Sequence, residues 1–313
     1  MLNLSEVQVF TIAAETENFS ETARRMHLSQ PAVSQQIRSL EHFLGIELFQ
    51  RSSRGVALAD AGQILLPMAR ELLNLSRRIE ETMRSLEEQV VGHLLIGCTT
   101  TAGKYVLPLL AAAFSQNHPN VRVTIEMCNC ASVVDPLLAQ EIHLGISSTK
   151  IVHRSMECQP FFTDDVVLIV PAGHPFAHRT SVRPVELLDQ PFILREEGSS
   201  TCRMMQERLA EYGVRLGQLQ VVMVVGSAEA IETAVEHGLG IAFVSRLAVR
   251  HGIELGHLVQ VPVEGLRLER PLYVARNSRC AKTPAQDRFW HFVKDRRAEM
   301  AQMLDIQPPV QGA

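Results

Sequence analysis

Apolar residues between positions 30 and 44 follow a helical spacing. They recur at Val33, Ile37, Leu40 and Leu44, which places them on one face of a helix. The opposite face is polar and carries Gln30, Ser34, Gln35 and Arg38. Side chains of these types can form hydrogen bonds with base edges and with phosphates. The pattern therefore predicts a helix that is buried on one side and suited to a DNA groove on the other.

A shorter helix precedes this one and is joined to it by a tight turn. It begins at Phe19, with Ser20 as the expected N-cap. The pattern breaks at residues 27–28, and Ser29 can cap the second helix. Pro31 then falls in the first helical turn, where a missing N–H is tolerated. Together the two segments predict a helix-turn-helix.

A short hairpin is predicted directly after these helices. Residues 48–51 and 56–58 have the pattern of strands around a turn that carries Arg54 at its tip. Arg51 and Arg54 are placed to bind backbone phosphate beside the groove. With the helix that comes first in the chain, these elements predict a winged helix-turn-helix domain over residues 1–58. The predicted DNA-contacting residues are Ser29, Gln30, Pro31, Ser34, Gln35, Arg38, Arg51 and Arg54.

The next segment, residues 59–91, has the pattern of one long linker helix. Apolar residues recur at heptad-like spacing, at Leu65, Met68, Leu72, Leu75, Ile79, Met83 and Leu86. The flanking positions are mostly charged. A helix packed on its own domain is one interpretation. The narrow seam with charged flanks favours the other, a coiled-coil-like contact with a second copy of the chain.

From residue 92 onward, strand and helix patterns alternate, which is typical of a parallel, doubly wound α/β architecture. The first series has strands at 93–98, 121–127 and 144–147 and helices at 102–116 and 133–140. A second series has strands at 165–170, 192–194, 219–225 and 240–244 and helices at 201–212 and 229–237. The chain returns to the first series near 268–275 and ends in a helix from residue 285.

Two such series predict two lobes around a cleft, within a ligand-binding domain over residues 92–303. Lobe I comprises residues 92–162 and 267–303, lobe II comprises residues 163–266, and residues 304–313 form a flexible tail. Open α/β sheets bind ligands at the carboxyl ends of their strands. The strand ends are therefore the place to look for a site.

Small hydroxyl side chains cluster at four of these strand ends. The candidate site residues there are Thr99, Thr100, Thr101, Ser147, Thr149, Glu196, Ser199, Ser200, Thr201 and Ser227. Helix openings supply unpaired N–H groups and a partial positive charge, so the clusters predict a site for a small anion. Any single cluster is more often only a helix cap. Four of them at strand ends favour a ligand.

The segment ARRMHLSQPAVSQQIRSLEHFLGIELFQR resembles the signature of LysR-type transcriptional regulators. The segments TTTAGKYVLP, LREEGSSTCR and GSAEAIETAVEHGLGIAFVSR are similar to the effector-binding blocks of that family, especially in members governing sulfur assimilation and carbon dioxide fixation. Ala59 departs from the family pattern, which usually has threonine there. The resemblance implies a two-lobed effector domain like that of periplasmic binding proteins. It also implies a homodimer or homotetramer that binds double-stranded promoter DNA and a small-molecule effector such as sulfite, sulfate or a phosphorylated metabolite, with RNA polymerase as a further candidate partner.

Composition and charge narrow the function further. Hydrophobic residues make up 46% and charged residues 20% of the chain, and neither a leader nor a membrane-spanning run is evident, so a cytoplasmic location is expected. Residues 1–60 hold five arginines and seven acids, a net charge of 5 − 7 = −2, so the DNA-binding charge is local. We therefore expect specificity to come from base contacts, DNA shape and dimeric avidity.

The sequence also bears on four alternatives: an enzyme, a metal-binding protein, a redox sensor and a solute-binding protein. No GxSxG, HExxH, P-loop or GxGxxG motif occurs, so we expect no enzyme activity and no cofactor. Cys128 and Cys130 are too close-set for a usual zinc pair, and we expect no metal. Cys202, beside Arg203 near a helix start, could have a lowered pKa and act as a redox sensor. A solute-binding protein without a regulatory role is the remaining alternative.

Overall fold

The computed structural model describes residues 1–52, 55–85, 90–127, 133–280 and 282–304. Its N-terminal domain contains α1 (Leu4–Thr16), α2 (Phe19–Met26), α3 (Gln30–Leu44), β1 (Phe49–Ser52) and β2 (Gly55–Leu58). The antiparallel β1 and β2 form the predicted wing, and their register pairs Phe49 with Leu58 and Ser52 with Gly55. The winged helix-turn-helix fold is confirmed.

The predicted N-cap is wrong for α2 and confirmed for α3. Asn18, not Ser20, is the N-cap of α2, because its Oδ1 accepts hydrogen bonds from the N–H groups of Ser20 and Glu21 at 2.9 and 3.1 Å. Asparagine is as good a cap as serine and lies one residue before the helix. Ser29 caps α3 as predicted, since its Oγ accepts from the N–H of Ala32 at 3.3 Å.

Phe49 joins the wing to the helices. Its ring makes edge-to-face contacts with Phe10 and Phe19, at centroid distances of 5.6 and 5.4 Å. Val33 and Ile37 of α3 are buried in the same core. Leu44 was predicted to share that buried face but is exposed at the last position of α3.

The linker helix α4 extends over Asp60–Ser85 and continues through Pro67. Leu65 and Leu72, predicted to lie in an intermolecular seam, pack partly against the core of their own N-terminal domain. Four other residues of the predicted seam, Met68, Leu75, Ile79 and Met83, are exposed, and so is Ile64, which the prediction did not include. The sequence could not separate these two sets because both recur at helical spacing. Leu86 lies outside the described residues.

Two lobes follow the linker. Lobe I contains β3 (Gly92–Cys98), a π-helical turn (Ala102–Val106), α5 (Leu107–Asn117), β4 (Val121–Met127), α6 (Val134–Leu138), β5 (Leu144–Ser147), α10 (Pro284–Asp295) and α11 (Arg297–Leu304). Lobe II contains β7 (Pro191–Arg195), α7 (Ser200–Ala210), β8 (Gln220–Val225), α8 (Ala228–Glu236), β9 (Ala242–Ser245), α9 (Arg246–Glu254) and β10 (Leu258–Val261). Each lobe has its own apolar core.

Two long antiparallel strands, β6 (Met156–Pro171) and β11 (Leu268–Asn277), pass through both lobes. They pair with β5 in lobe I and with β9 and β10 in lobe II. The sequence predicted only the second half of β6. Its first half contains Pro160, which lies opposite Tyr273 at a shift in the β6–β11 register. A proline and a register shift interrupt the alternating pattern by which a strand is recognised in a sequence.

The sheets are mixed rather than wholly parallel. Strands β3, β4 and β5 run parallel to one another, as do β7 and β8, whereas β6 and β11 run antiparallel to their neighbours. The two-lobed α/β architecture is confirmed with this correction. None of the helices in the described ranges is both long enough and apolar enough to span a membrane.

Candidate DNA-binding surface and inter-lobe cleft

One face of α3 is open and polar. Gln30, Gln35 and Arg38 are exposed on it. Ser34 lies between them, where its hydroxyl accepts from Gln30 Nε2 at 2.9 Å and its carbonyl from Arg38 Nε at 3.3 Å. These bonds hold two long side chains along the helix, which lowers the entropy they would lose on contact with DNA.

The recognition face and the wing border a common groove of about 400 Å³, whose lining includes Gln30, Pro31, Ser34, Arg38 and Gln50. Glu41 fixes the wing beside α3, because its carboxylate accepts from the N–H groups of Leu48 and Phe49 at 2.8 and 3.3 Å. Exposed Ser29 stands at the start of the same helix. The predictions for Arg54 and for the side chain of Arg51 fall outside the described residues.

The cleft between the lobes is organised around Arg270 on β11, whose side chain is 9% exposed. One guanidinium nitrogen, Nη1, donates to Ser200 Oγ at 2.8 Å and to Thr201 Oγ1 at 3.3 Å. The other, Nη2, donates to Thr101 Oγ1 at 3.0 Å and to Asp164. Arg270 thus joins hydroxyl groups from both lobes.

Asp164 on β6 is the counter-charge of Arg270 and is fully buried. Its other carboxylate oxygen accepts from the hydroxyl of Ser245 at 2.8 Å. A buried ion pair is tolerated when further hydrogen bonds satisfy its remaining polar atoms. The Nε of Arg270 is buried and has no hydrogen-bond partner among the described residues.

Of the hydroxyl residues predicted from the sequence, Thr101, Ser200 and Thr201 are therefore brought together. Each hydroxyl oxygen accepts a hydrogen bond from Arg270, so its own O–H remains free to act as a donor. The sequence missed Arg270 and Asp164 because neither occurs at a strand end. Both lie within long strands, and the antiparallel register of β6 and β11 places them in one cleft.

The other predicted site residues have different neighbours. Thr99 Oγ1 is buried without a partner in the described part of the chain, whereas Thr100 is exposed. Ser147 Oγ accepts from the N–H of Thr149 at 3.1 Å. Ser199 caps α7 by accepting from the N–H of Cys202 at 3.1 Å.

A second polar group spans the cleft at the first turn of α8. Glu229 of lobe II accepts from Lys104 Nζ at 2.7 Å and Tyr105 Oη at 2.6 Å, both from the π-helical turn of lobe I. Its second oxygen accepts from the hydroxyl of Ser227 at 2.5 Å. Burial alone would raise the pKa of Glu229, but hydrogen bonds from Lys104, Ser227 and Tyr105 outweigh it and hold the pKa at about 2.

The pair Arg195 and Glu196 lies beside this group in lobe II. Arg195 donates to both carboxylate oxygens of Glu196 at 2.7 Å and to the carbonyl of Gly226 at 3.3 Å. The expected lowering of the Cys202 pKa is wrong. Burial raises the pKa of this thiol, and Glu196 and Glu197 raise it further, against a smaller lowering by Arg195.

The linker helix contacts both parts of the chain. Arg70 pairs with Glu15 of α1 at 3.7 Å and with Glu141 of lobe I. Asn74 donates to the carbonyl of Gln140 at 3.1 Å. Buried Glu81 accepts from the N–H of His93 at 3.1 Å. The helix α4 is therefore in contact with both the N-terminal domain and lobe I.

Two family models match this chain. Residues 4–63 match a bacterial regulatory helix-turn-helix protein family described as the lysR family. Residues 87–298 match a LysR substrate binding domain. Between them the matches include the recognition helix, the wing, both lobes and the Arg270 and Glu229 groups.

Two known regulators are similar over nearly the whole chain, and a third structure is similar over the two-lobed domain. A RuBisCO operon transcriptional regulator from Allochromatium vinosum is 31% identical over 301 residues, which is 96% of this chain and 98% of the relative. The solved structure of full-length CbnR complexed with its target DNA is 24% identical, covers 94% of this chain and 99% of that one, and has a TM-score of 0.67. The Synechocystis CcmR regulatory domain in complex with 2-PG is 26% identical, covers 67% of this chain and 99% of that one, and has a TM-score of 0.60.

Proposed function

Since the chain belongs to the LysR family of bacterial transcriptional regulators, we propose that a small anion bound between its two lobes controls its binding to promoter DNA. The protein is a DNA-binding regulator and not an enzyme. The observation that carries the proposal is the contact of Arg270 with Thr101 in lobe I and with Ser200 and Thr201 in lobe II. A ligand that contacts these groups would contact both lobes at once.

The anion is proposed to accept hydrogen bonds from the hydroxyls that Arg270 orients. Thr101 stands at the opening of the π-helical turn and Ser200 and Thr201 stand at the opening of α7, where helical N–H groups favour negative charge. The CcmR relative was solved with 2-PG, an abbreviation shared by 2-phosphoglycolate and 2-phosphoglycerate. Both are phosphorylated carboxylates, so a compound of this class is the effector that we propose.

DNA recognition is proposed to follow the exposed face of α3. Gln30, Ser34, Gln35 and Arg38 would contact base edges in the major groove, with Pro31 packed beside them. Ser29, Arg51 and Arg54 would contact phosphates and set the register on the duplex. Two winged helix-turn-helix domains, called the DNA-binding heads below, would bind half-sites whose centres are about 10 bp apart or a multiple of that.

The second head would come from another copy of the chain. We propose that the exposed line Ile64, Met68, Leu75, Ile79 and Met83 of α4 packs against a second copy, giving a homodimer or a homotetramer. Effector binding would change the spacing of the DNA-binding heads through α4, and RNA polymerase is the proposed downstream partner. The effector can shift the equilibrium between two spacings of the DNA-binding domains only by its difference in affinity for the two states.

A thermal-shift screen tests the effector class. The full-length protein is heated with 2-phosphoglycolate, 2-phosphoglycerate, inorganic phosphate, sulfate and sulfite, with and without promoter DNA. A ligand that binds only the native state raises the melting temperature by mass action. Stabilisation by a phosphorylated carboxylate, together with a changed footprint on DNA, is the expected result. No stabilisation by any of these anions would contradict the proposal.

A further inference from the structure

We infer that Glu229 is a specificity-determining residue of the cleft, which occupies donors that an anionic effector would otherwise use and holds the two lobes together. This inference rests on the proposed function, because it concerns the same cleft. Glu229 lies outside the Arg270 group and belongs to lobe II, whereas two of its three partners belong to lobe I. It is therefore a carboxylate of the protein itself, held by donors from both sides.

The geometry is that of a bound anion. One oxygen of Glu229 accepts from Lys104 at 2.7 Å and from Tyr105 at 2.6 Å, and the other accepts from Ser227 at 2.5 Å. The carboxylate also stands in the first turn of α8, where the helix favours negative charge. An ammonium, a phenol and a hydroxyl are the donors that a free carboxylate or phosphate would need.

The negative charge of Glu229 excludes a second anion from Lys104. The low pKa of Glu229, about 2, keeps the carboxylate ionised at neutral pH. Burial and the hydrogen bond to Glu229 raise the pKa of Tyr105, so the phenol keeps its proton and remains a donor. A second anion cannot approach Lys104 closely while Glu229 is in place, because like charges at short range repel strongly in a partly buried site.

The other cations that we place in the cleft are also paired. Arg270 pairs with Asp164 and Arg195 pairs with Glu196, so each of these cations is neutralised by the chain itself. The Asp164 side chain is fully buried, so it cannot turn to solvent without losing its hydrogen bonds to Arg270 and Ser245. Glu229 is 40% exposed and pairs across the lobes, so its side chain can turn to solvent when an anion takes its place at Lys104.

This competition selects the kind of effector. Thr101 of the Arg270 group and Lys104 lie three residues apart on the same turn. An effector with two anionic groups can place one at the Arg270 group and use the other to displace Glu229 from Lys104. A ligand with a single anionic group should bind less tightly, because it can occupy either the Arg270 group or the site at Lys104 but not both. We therefore expect phosphorylated carboxylates to bind more tightly than inorganic phosphate.

A double-mutant cycle tests the competition directly. Glu229→Gln removes the charge and keeps the size, and Lys104→Met removes the contested cation. Titration calorimetry on the full-length protein with 2-phosphoglycolate, 2-phosphoglycerate and inorganic phosphate gives the affinities. We expect E229Q to bind a phosphorylated carboxylate roughly tenfold more tightly, equivalent to about 1.4 kcal/mol. We expect no such gain when E229Q is added to K104M.

Glu254→Gln serves as the matched control, because it removes one ionised carboxylate from an arginine pair on α9. Its affinity for the anions should equal that of the wild type. Two results would overturn the inference. One is an E229Q affinity that is unchanged or weaker, and the other is a gain that persists in full with K104M, which would make the effect one of charge at a distance.

Hydrogen exchange separates this inference from the proposed function. If neither the wild type nor any variant binds the three anions, the proposed effector class is wrong, and the link between the lobes is judged without ligand. Peptides over residues 99–110 and 226–236 should then exchange faster in E229Q than in the wild type and in E254Q. Equal exchange in all three proteins would show that Glu229 does not hold the lobes together.

Discussion

Arg270 donates a hydrogen bond to Thr101 across 3.0 Å, although 169 residues separate them in the chain. The contact exists because β11 returns through both lobes and pairs with β6 along its length. It connects the guanidinium of the return strand to the hydroxyl at the start of the π-helical turn. This relationship makes Thr101 the residue of choice for separating effector binding from DNA binding.

Replacing Thr101 with valine should abolish the effector response and leave DNA affinity intact. Valine keeps the shape but removes both the acceptor for Arg270 and the hydroxyl donor for an anion. Loss of a hydrogen bond to a charged group costs about 1.5–3 kcal/mol, so effector affinity should fall by one to two orders of magnitude. Calorimetry with 2-phosphoglycolate or 2-phosphoglycerate and an operator-binding assay measure the two effects.

Thr180→Val is the control for this change, since Thr180 is an exposed threonine of lobe II away from the Arg270 group. It should bind the effector and the operator as the wild type does. An unaltered effector response in T101V would remove Thr101 from the site.

Replacing Arg38 with alanine should weaken operator binding more than binding to random DNA. Arg38 is exposed on the polar face of α3, and a good bidentate contact to a base is worth about 1–3 kcal/mol of discrimination. Arg24→Ala is the control, because Arg24 lies on α2 and is held by Glu21 at 2.7 Å. Fluorescence anisotropy with both DNAs gives the ratio. Equal losses on the two DNAs for R38A would contradict base reading by this residue.

The apolar face of α3 offers a matched pair for stability. Leu40 is fully buried and Leu44, one turn later, is exposed. Leu40→Ala should lower the free energy of unfolding by about 2–5 kcal/mol, whereas Leu44→Ala should change it by less than about 0.5 kcal/mol. Chemical denaturation followed by circular dichroism measures both. Similar losses for the two variants would mean that α3 is oriented differently.

The partly buried imidazole of His143 should make stability depend on pH. Burial, reinforced by His93 and Arg77, lowers the pKa of His143 from 6.5 to about 4. Its Nδ1 accepts from the N–H of Leu95 at 3.1 Å, which requires the neutral ring. Between pH 6.5 and 4 the unfolded chain therefore binds the proton more readily, and stability falls as the pH is lowered through that range.

The effect of His143 should reach at most about 2 kcal/mol on going from pH 7.5 to pH 5. His143→Asn keeps an acceptor near the Leu95 N–H and does not titrate. Unfolding by urea at several pH values should give a steeper decline for the wild type than for this variant. Parallel declines would show that His143 does not carry the pH dependence.

The sequence predicted the parts of this molecule that are specified locally. The stripe of Val33, Ile37 and Leu40 and the cap at Ser29 follow from spacing and side-chain chemistry within a few residues. The strand ends at Thr101 and Ser200 were found for the same reason. Each of these features depends on neighbours in the chain.

The features that the sequence did not predict depend on contacts between residues far apart in the chain. Arg270 and Asp164 face each other because two strands about 100 residues apart in the chain pair with each other, and no local pattern encodes that pairing. The same holds for Lys104 and Glu229, which are separated by 125 residues. On α4, helical spacing alone could not tell the residues that pack on their own domain from those left exposed.

The central claim is that an anion in the cleft and DNA at the recognition helices are coupled, and coupling is reciprocal in equilibrium binding. The decisive measurement is one closed set of four affinities on the full-length protein: a phosphorylated carboxylate with and without operator, and operator with and without that compound. We predict that the two ratios are equal and differ from one by at least about fivefold, within the usual range of such couplings. Tight binding of both ligands with a ratio of one would contradict control of DNA binding from the cleft.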